Sequence, residues 1–192
     1  MTNKWNGPCD STLTRWTRWD SSWPALADGA ERKKLLSYLE DRFGIAQTTF
    51  DPYLFFTKRK GWWVLKKNSS VAKISRMKVC QVGMRAFQQV GQHIKPTTRF
   101  VQVFGMLATK AVLPLDAYSL QRIVKGETMS VDLRLENGYI ILCYKDYALG
   151  VGLFIDGGVL AQLPKKETLF LHEWYNPSVY ILNSQEDFRT WE

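Results

Sequence analysis

The chain contains 192 residues, with 26 Lys and Arg against 18 Asp and Glu and a formal net charge of +8. This length accommodates one large domain or two small ones. No apolar run is long enough to cross a bilayer, and the N-terminus lacks the apolar segment of a signal peptide. We therefore expect a cytoplasmic protein with no membrane attachment.

The first 27 residues are rich in tryptophan and are predicted to form an N-terminal arm, residues 1–27. The last three of its tryptophans are spaced as on one face of a short helix. That face either packs on the chain's own domain or docks onto a partner protein, because tryptophan anchors dominate many interfaces. The arm holds four of the eight tryptophans in the chain: Trp5, Trp16, Trp19 and Trp23.

An α/β module is predicted for residues 28–105. Asp28 and Gly44 are typical of the two ends of a helix, and its buried positions are Leu35, Leu36, Leu39 and Phe43. The segments YLFF and WWVL predict two strands joined by a hairpin with basic residues at its tip. A third strand is expected at SVAKI, a second helix over residues 78–90 and a strand over residues 100–105.

A β-rich module is predicted for residues 106–192. An extended run ends at Pro114, and Asp116 begins a short helix that ends at Gly126 and buries Leu120, Ile123 and Val124. Short strands follow, which is typical of a small barrel or sandwich. The overall prediction is an α+β fold. Hairpin turns are expected at Glu136-Asn137-Gly138, Asp156-Gly157-Gly158 and Tyr175-Asn176-Pro177.

Charge is segregated along the chain. Between Asp51 and Asp116 there are twelve Lys and Arg but no Asp or Glu. Such a segment favours a polyanion partner, and nucleic acid fits best because each basic group that contacts a phosphate releases counterions. A solvated face that binds nothing is the alternative. The basic residues are interrupted by turn material, KRKG and KNSS, which argues against a membrane-surface helix.

Two adjacent tryptophans accompany this charge. Neighbouring residues of a strand face opposite ways, so one of Trp62 and Trp63 should point outward, where a flat ring can stack on an unpaired base. The predicted nucleic-acid contacts in this part of the chain are Lys58, Arg59, Lys60, Trp62, Lys66, Lys67, Lys73, Arg76, Lys78 and Lys95.

Residues suited to catalysis are scarce. The sequence has neither a phosphate-binding glycine loop nor a GxSxG motif, so no cofactor is predicted. Its three cysteines, Cys9, Cys80 and Cys143, are odd in number and far apart, which indicates neither a disulfide framework nor a metal site. An enzyme that uses Cys9 or Cys143 is a further alternative.

An ordered series of short motifs runs through residues 94–166. The series consists of Lys95-Pro96-Thr97-Thr98, Phe104-Gly105, Ala108-Thr109-Lys110, Lys125-Gly126-Glu127, Gly138-Tyr139-Ile140, Leu149-Gly150-Val151-Gly152 and Gln162-Leu163-Pro164-Lys165. These motifs resemble the C-terminal region of archaeal Sun-family RNA cytosine-5 methyltransferases and related proteins. Residues 31–45 resemble the start of the same region.

The resemblance implies a small α/β pre-PUA module followed by a PUA-type β pseudobarrel that holds structured RNA. It implies that the turn around Gly126 approaches the RNA backbone, although Glu127 next to Lys125 opposes phosphate binding there. It further implies RNA contacts from Lys110 on the first strand and from Lys165 and Lys166 on a late strand. The family's enzymes carry an S-adenosylmethionine-binding domain before this region, for which 192 residues leave no room, so we expect no methyl transfer by this chain.

The sequence thus predicts a non-catalytic RNA-binding protein that recognises structured rRNA or tRNA during RNA modification or ribosome maturation. No cofactor and no metal are expected. The alternative is a protein-interaction adaptor, whose Trp-rich arm docks a separate RNA methyltransferase or a ribosomal protein.

Overall fold

The computed structural model of the protein describes residues 24–68 and 82–168, and the chain divides into two compact units between Val112 and Leu113. The sequence placed this boundary near Gly105. The Trp-rich arm, the strand expected at SVAKI and the turn at Tyr175 lie outside the described residues. The described part combines helices with two sheets, which agrees with the predicted α+β class. None of its helices is both long and apolar enough to span a bilayer.

The first unit begins with helix α1, Gly29–Phe43, which starts and ends where the sequence predicts. The Asp28 carboxylate accepts a hydrogen bond of 2.7 Å from the Glu31 backbone N–H, so it satisfies a donor that the helix leaves unpaired. Gly44 follows in the left-handed conformation at φ 66°. The predicted buried stripe is confirmed at all four positions, Leu35, Leu36, Leu39 and Phe43.

The first sheet contains five antiparallel strands in the order β1-β2-β3-β4-β5. The β2–β3 hairpin is confirmed, and its two-residue tip is Arg59-Lys60. The strands are Ala25–Leu26 (β1), Tyr53–Lys58 (β2), Gly61–Lys66 (β3), Met84–Val90 (β4) and His93–Pro96 (β5).

Two elements of this unit are of a different type from the predicted one. Residues 84–90, expected in a helix, form β4 and pair with strands on both sides. Residues 100–105, expected in a strand, belong to helix α2, Thr98–Phe104, and to the 3₁₀ turn Gly105–Leu107. Tertiary pairing and burial override the local propensities of both segments.

A cluster of buried aromatic rings closes one face of the first sheet. Phe50, at the end of the 3₁₀ turn Gln47–Phe50, is fully buried. Its ring centroid lies 5.9 Å from those of Phe55 on β2 and Phe100 on α2. Phe87 on β4 joins the cluster at 4.7 Å from Phe100. Because this face is filled by rings that bury large areas, the basic side chains of strands β2 to β5 lie on the other face or at the strand ends. A basic side chain from α1 does reach the aromatic face, since the guanidinium carbon of Arg32 lies 5.3 Å from the centroid of the Phe55 ring.

The second unit contains a five-stranded sheet in the order β6-β8-β9-β10-β7, together with helix α3, Ala117–Val124. Asp116 caps α3 as predicted, since its carboxylate accepts the Ser119 backbone N–H at 2.7 Å. Leu120 and Ile123 are buried, whereas Val124 is only half-buried. The strands are Val112–Leu115 (β6), Met129–Ser130 (β7), Gly138–Tyr144 (β8), Tyr147–Ile155 (β9) and Gly158–Ala161 (β10).

One of the two described hairpin predictions in this unit is confirmed and the other is wrong. β9 and β10 meet at the Asp156-Gly157 turn, as expected. No hairpin forms at Asn137, because β7 pairs with β10 and residues 131–136 are not in a strand. Instead the Asn137 side-chain amide makes two hydrogen bonds of 2.9 Å with Asp156, one to its carboxylate and one from its backbone N–H.

Replacing Gly44 with alanine should destabilise the first unit by about 1–2 kcal/mol. Gly44 lies at φ 66°, and an added Cβ would collide with Thr109 Oγ1. The free energy of unfolding in urea measures the effect. Gly29→Ala is the matched control, because a Cβ there meets nothing within 4 Å, and it should be neutral or stabilising. Equal stability of the two variants would contradict this account of the end of α1.

Candidate nucleic-acid interface

The tip of the β2–β3 hairpin presents three adjacent cations. Lys58 ends β2 and is half-buried, while Arg59 and Lys60 are exposed. Arg59 has φ 54°, a left-handed conformation that costs an ordinary side chain about 1 kcal/mol. Asn or Gly would fit this turn better, so the chain tolerates backbone strain at a position that keeps a guanidinium at the tip.

The two adjacent tryptophans face opposite sides of the sheet. Trp62, the one included among the predicted nucleic-acid contacts, is the buried one. Trp62 is only 8% exposed and lies opposite Thr57 and Phe87, on the face closed by the aromatic cluster. Its ring therefore cannot stack on a base in this conformation. Trp63 faces the other side, half-buried against the small apolar cluster of Leu54, Phe56 and Val82.

The other predicted cations of the first unit are not gathered at the tip. Lys66 and Lys67 are exposed at the far end of β3, roughly 20 Å along the strand from Lys60. Lys95 lies on β5, half-buried, and burial lowers its pKa. Lys73, Arg76 and Lys78 lie outside the described residues.

The resemblance implied that Lys110 lies on a strand, but it does not. It precedes β6, and its backbone N–H donates to the Phe43 carbonyl oxygen at 3.0 Å, at the C-terminal end of α1. A cation near the carbonyl end of a helix is favoured by the helix dipole. The Lys110 side chain is exposed, so its RNA contact stays a prediction.

Arg85 is an exposed residue of this region that the sequence analysis missed. Its guanidinium carbon lies 5.6 Å from the centroid of the Trp63 ring, within the range of a cation–π contact. The residue was assigned to a helix that does not form. The overlooked signal was Gly91-Gln92, a two-residue turn between β4 and β5 with Gly91 at φ 58°.

No carboxylate neutralises these cations from within their own stretch of sequence. Strands β2 to β5 fall inside the acid-free segment between Asp51 and Asp116. The described cations of that segment are Lys58, Arg59, Lys60, Lys66, Lys67, Arg85, Lys95, Arg99 and Lys110. Clustered like charges repel one another, and a polyanion relieves that repulsion.

In the second unit the predicted glycine turn is open, and its carboxylate is paired. Gly126 has φ 81°, and a Cβ there would meet nothing within 4 Å. The Glu127 carboxylate accepts a hydrogen bond from Arg122 Nε at 2.8 Å, which raises the pKa of Arg122. The pairing reduces the repulsion between Glu127 and a phosphate near exposed Lys125.

Lys165 and Lys166 are exposed, but they lie in a helical turn over residues 165–168 instead of a strand. The Thr168 backbone N–H donates to the Pro164 carbonyl oxygen at 3.1 Å, and the Thr168 hydroxyl donates to the Lys165 carbonyl oxygen at 2.8 Å. These bonds close the turn and leave both ammonium groups at the surface.

The alternative of cysteine chemistry finds little support at Cys143. The side chain is buried on β8, and burial raises the pKa of its thiol. A thiolate is the reactive form, so a raised pKa lowers reactivity. Cys9 and Cys80 lie outside the described residues. Among the described residues, no group of three His, Cys, Asp or Glu side chains is placed to hold a metal ion.

In a Cys9→Ser/Cys80→Ser variant, the Cys143 thiol should react with a disulfide reagent at pH 8 at least roughly ten-fold more slowly in the native state than in urea. Absorbance of the released thiolate measures both rates. Equal rates would show that Cys143 is accessible and would reopen the cysteine alternative.

Part of the chain matches a known protein family. Residues 110–167 match the family described as the Methyltransferase RsmF PUA domain. With helix α3 and the second sheet, the match supports a PUA-type domain related to those of Sun-family methyltransferases. No curated protein matches the chain. The residues before 110 lie outside the match, so the pre-PUA module remains a prediction.

Proposed function

We propose that this protein binds structured RNA and does not itself catalyse a reaction on it. The single observation that carries the proposal is the match of residues 110–167 to a PUA domain of a methyltransferase family. The first sheet supports it independently, because the exposed cations Arg59, Lys60 and Arg85 belong to a stretch without any carboxylate.

The two units offer different kinds of contact to such an RNA. The first unit supplies phosphate contacts from the hairpin tip, Lys58, Arg59 and Lys60, whose contribution to affinity is independent of sequence. The second unit supplies the open turn at Gly126, where the absence of a side chain lets an RNA backbone come close. Folded RNA is recognised mainly through shape, 2′-hydroxyl groups and unpaired bases, so the target should contain a loop or a free end.

The proposed setting is the maturation of rRNA or tRNA, with the protein presenting the RNA to a separate methyltransferase. This setting rests on the methyltransferase family whose domain the chain resembles. The adaptor hypothesis, in which residues 1–27 dock that enzyme or a ribosomal protein, is compatible with RNA binding by the described units.

Removing the charge of the hairpin tip should weaken binding and flatten its salt dependence. The variant carries Lys58→Gln, Arg59→Asn and Lys60→Gln. A plot of the logarithm of its association constant against the logarithm of salt concentration should be less steep by about 2, at roughly 0.7 to 0.9 per phosphate contact. Asn is chosen at position 59 because it tolerates the positive φ. Fluorescence anisotropy with tRNA, fragmented rRNA and duplex DNA over a salt series gives the slopes.

The matched control removes three charges elsewhere in the same unit, through Lys33→Gln, Lys34→Gln and Arg99→Gln, all at exposed positions. It should keep most of the wild-type affinity. Preference of the wild-type protein for a structured RNA, with loss confined to the tip variant, supports the proposal. Weak binding of the wild-type protein to all three nucleic acids overturns it and favours the adaptor.

A further inference from the structure

We propose that exposed Arg85, stacked on Trp63 above Gly61, forms a binding site for a phosphate of an unpaired RNA segment on the face of the first sheet opposite the aromatic cluster. This inference rests on the proposed function and names the part of the RNA that the first unit recognises. It assigns a role to Arg85 and Gly61, which were not among the predicted contacts, and to Trp63, a member of the tryptophan pair of which one was predicted to face outward.

An irregularity in strand pairing places Arg85 on this face. Trp62 lies opposite Phe87, but Trp63 lies opposite Arg85, so Ala86 is an extra residue on β4. With regular pairing Ala86 would oppose Trp63, and Arg85 would point to the face closed by the aromatic cluster. The bulge therefore turns one guanidinium out of the core side and onto the indole of Trp63. Bulges commonly redirect side chains in this way near functional sites.

Gly61 provides the space in which the two side chains meet. A Cβ at this position would lie 3.0 Å from Trp63 Cη2 and 3.2 Å from Arg85 Nε. The indole edge and the guanidinium therefore lie together over a residue without a side chain. An alanine at position 61 would force Trp63 and Arg85 to shift by a few tenths of an ångström without changing the charge of the protein.

The neighbours of this pair on the same face add positive charge. Residues that lie directly opposite one another in antiparallel strands share a face. The register joins Lys58 to Gly61, Gly61 to Gln88, and Gln88 to Lys95. Arg85 thus belongs to a face that also holds an ammonium group on β2 and another on β5, and strands β2 to β5 contain no Asp or Glu.

The chemistry of a stacked arginine fits a phosphate. A guanidinium that rests on an aromatic ring keeps its planar set of N–H donors in one orientation, so less side-chain freedom is lost when it binds an anion through two hydrogen bonds. A single stacked arginine on a sheet face suits an unpaired strand better than a rigid duplex, because unpaired nucleotides can adapt to the surface that carries it. The occupant is therefore an RNA loop or end.

The test compares variants that keep the total charge constant. The probe is a fluorescent 12-nucleotide oligouridylate, and anisotropy at 0.1 M salt gives its dissociation constant. Arg85→Lys keeps the charge but loses the planar donors, and it should weaken binding about ten-fold. Gly61→Ala keeps Arg85 but shifts the pair slightly, and it should weaken binding by less. Arg99→Lys, at an exposed position of α2, is the matched control, and its dissociation constant should stay within about two-fold of the wild-type value.

Circular dichroism and urea titration establish that the variants are folded. If Gly61→Ala is unstable, the affinity of Arg85→Lys alone tests whether Arg85 binds the RNA. Wild-type affinity for the oligouridylate in Arg85→Lys would overturn this inference, even where the protein still binds tRNA and the proposed function stands. Failure of the wild-type protein to bind any RNA would overturn the proposed function together with this site.

Discussion

The burial of Phe50 is the constraint on which the first unit depends. Its ring contacts aromatic side chains from β2 and α2, and through Phe100 the cluster reaches β4. This packing decides which face of the sheet is core. Because Trp62 is drawn to that side, Trp63 must occupy the opposite face, where it packs only partly against the smaller cluster around Phe56. The position of Trp63 on this face is thus a consequence of how the aromatic residues are distributed between the two sides.

The distribution of charge follows from the same constraint. Burying an unpaired cation among the aromatic rings carries a large desolvation cost, so the cations of strands β2 to β5 lie at the hairpin tip, at the strand ends and on the face opposite the aromatic cluster. Arg32 of α1, which does lie over the Phe55 ring, donates hydrogen bonds to two backbone carbonyl oxygens. Arg85 reaches the face opposite the cluster through a bulge, and Arg59 holds the tip in a conformation more typical of glycine. Both features are locally unfavourable in free energy. Such departures from regular backbone geometry are common at functional sites, where they position a side chain.

Elements with local signals could be predicted from the sequence. Helix α1, helix α3 and the hairpins at Arg59 and Asp156 depend on caps and turn residues that lie within a few positions of each element. The segment MRAFQQV has helix-forming residues, and FVQVF alternates like a strand, but their conformations depend on distant partners: β3 and β5 in one case and Phe50 in the other. The Asn137 turn was misread for the same reason, since its amide bonds to Asp156 across the sheet. The candidate site could be predicted only as a stretch of charge, because the bulge that exposes Arg85 leaves no local mark.

Cross-linking of a bound RNA would identify the residues that contact it and show whether the first sheet is among them. A tRNA substituted with 4-thiouridine would be bound to the full chain and irradiated, and the modified peptides would be identified by mass spectrometry. If the first sheet binds RNA as proposed, cross-links will form in residues 56–68 and 84–96, around the hairpin tip and Trp63, in addition to any in the PUA-type domain. Cross-links confined to residues 113–168, with none on the first sheet, would contradict this proposal.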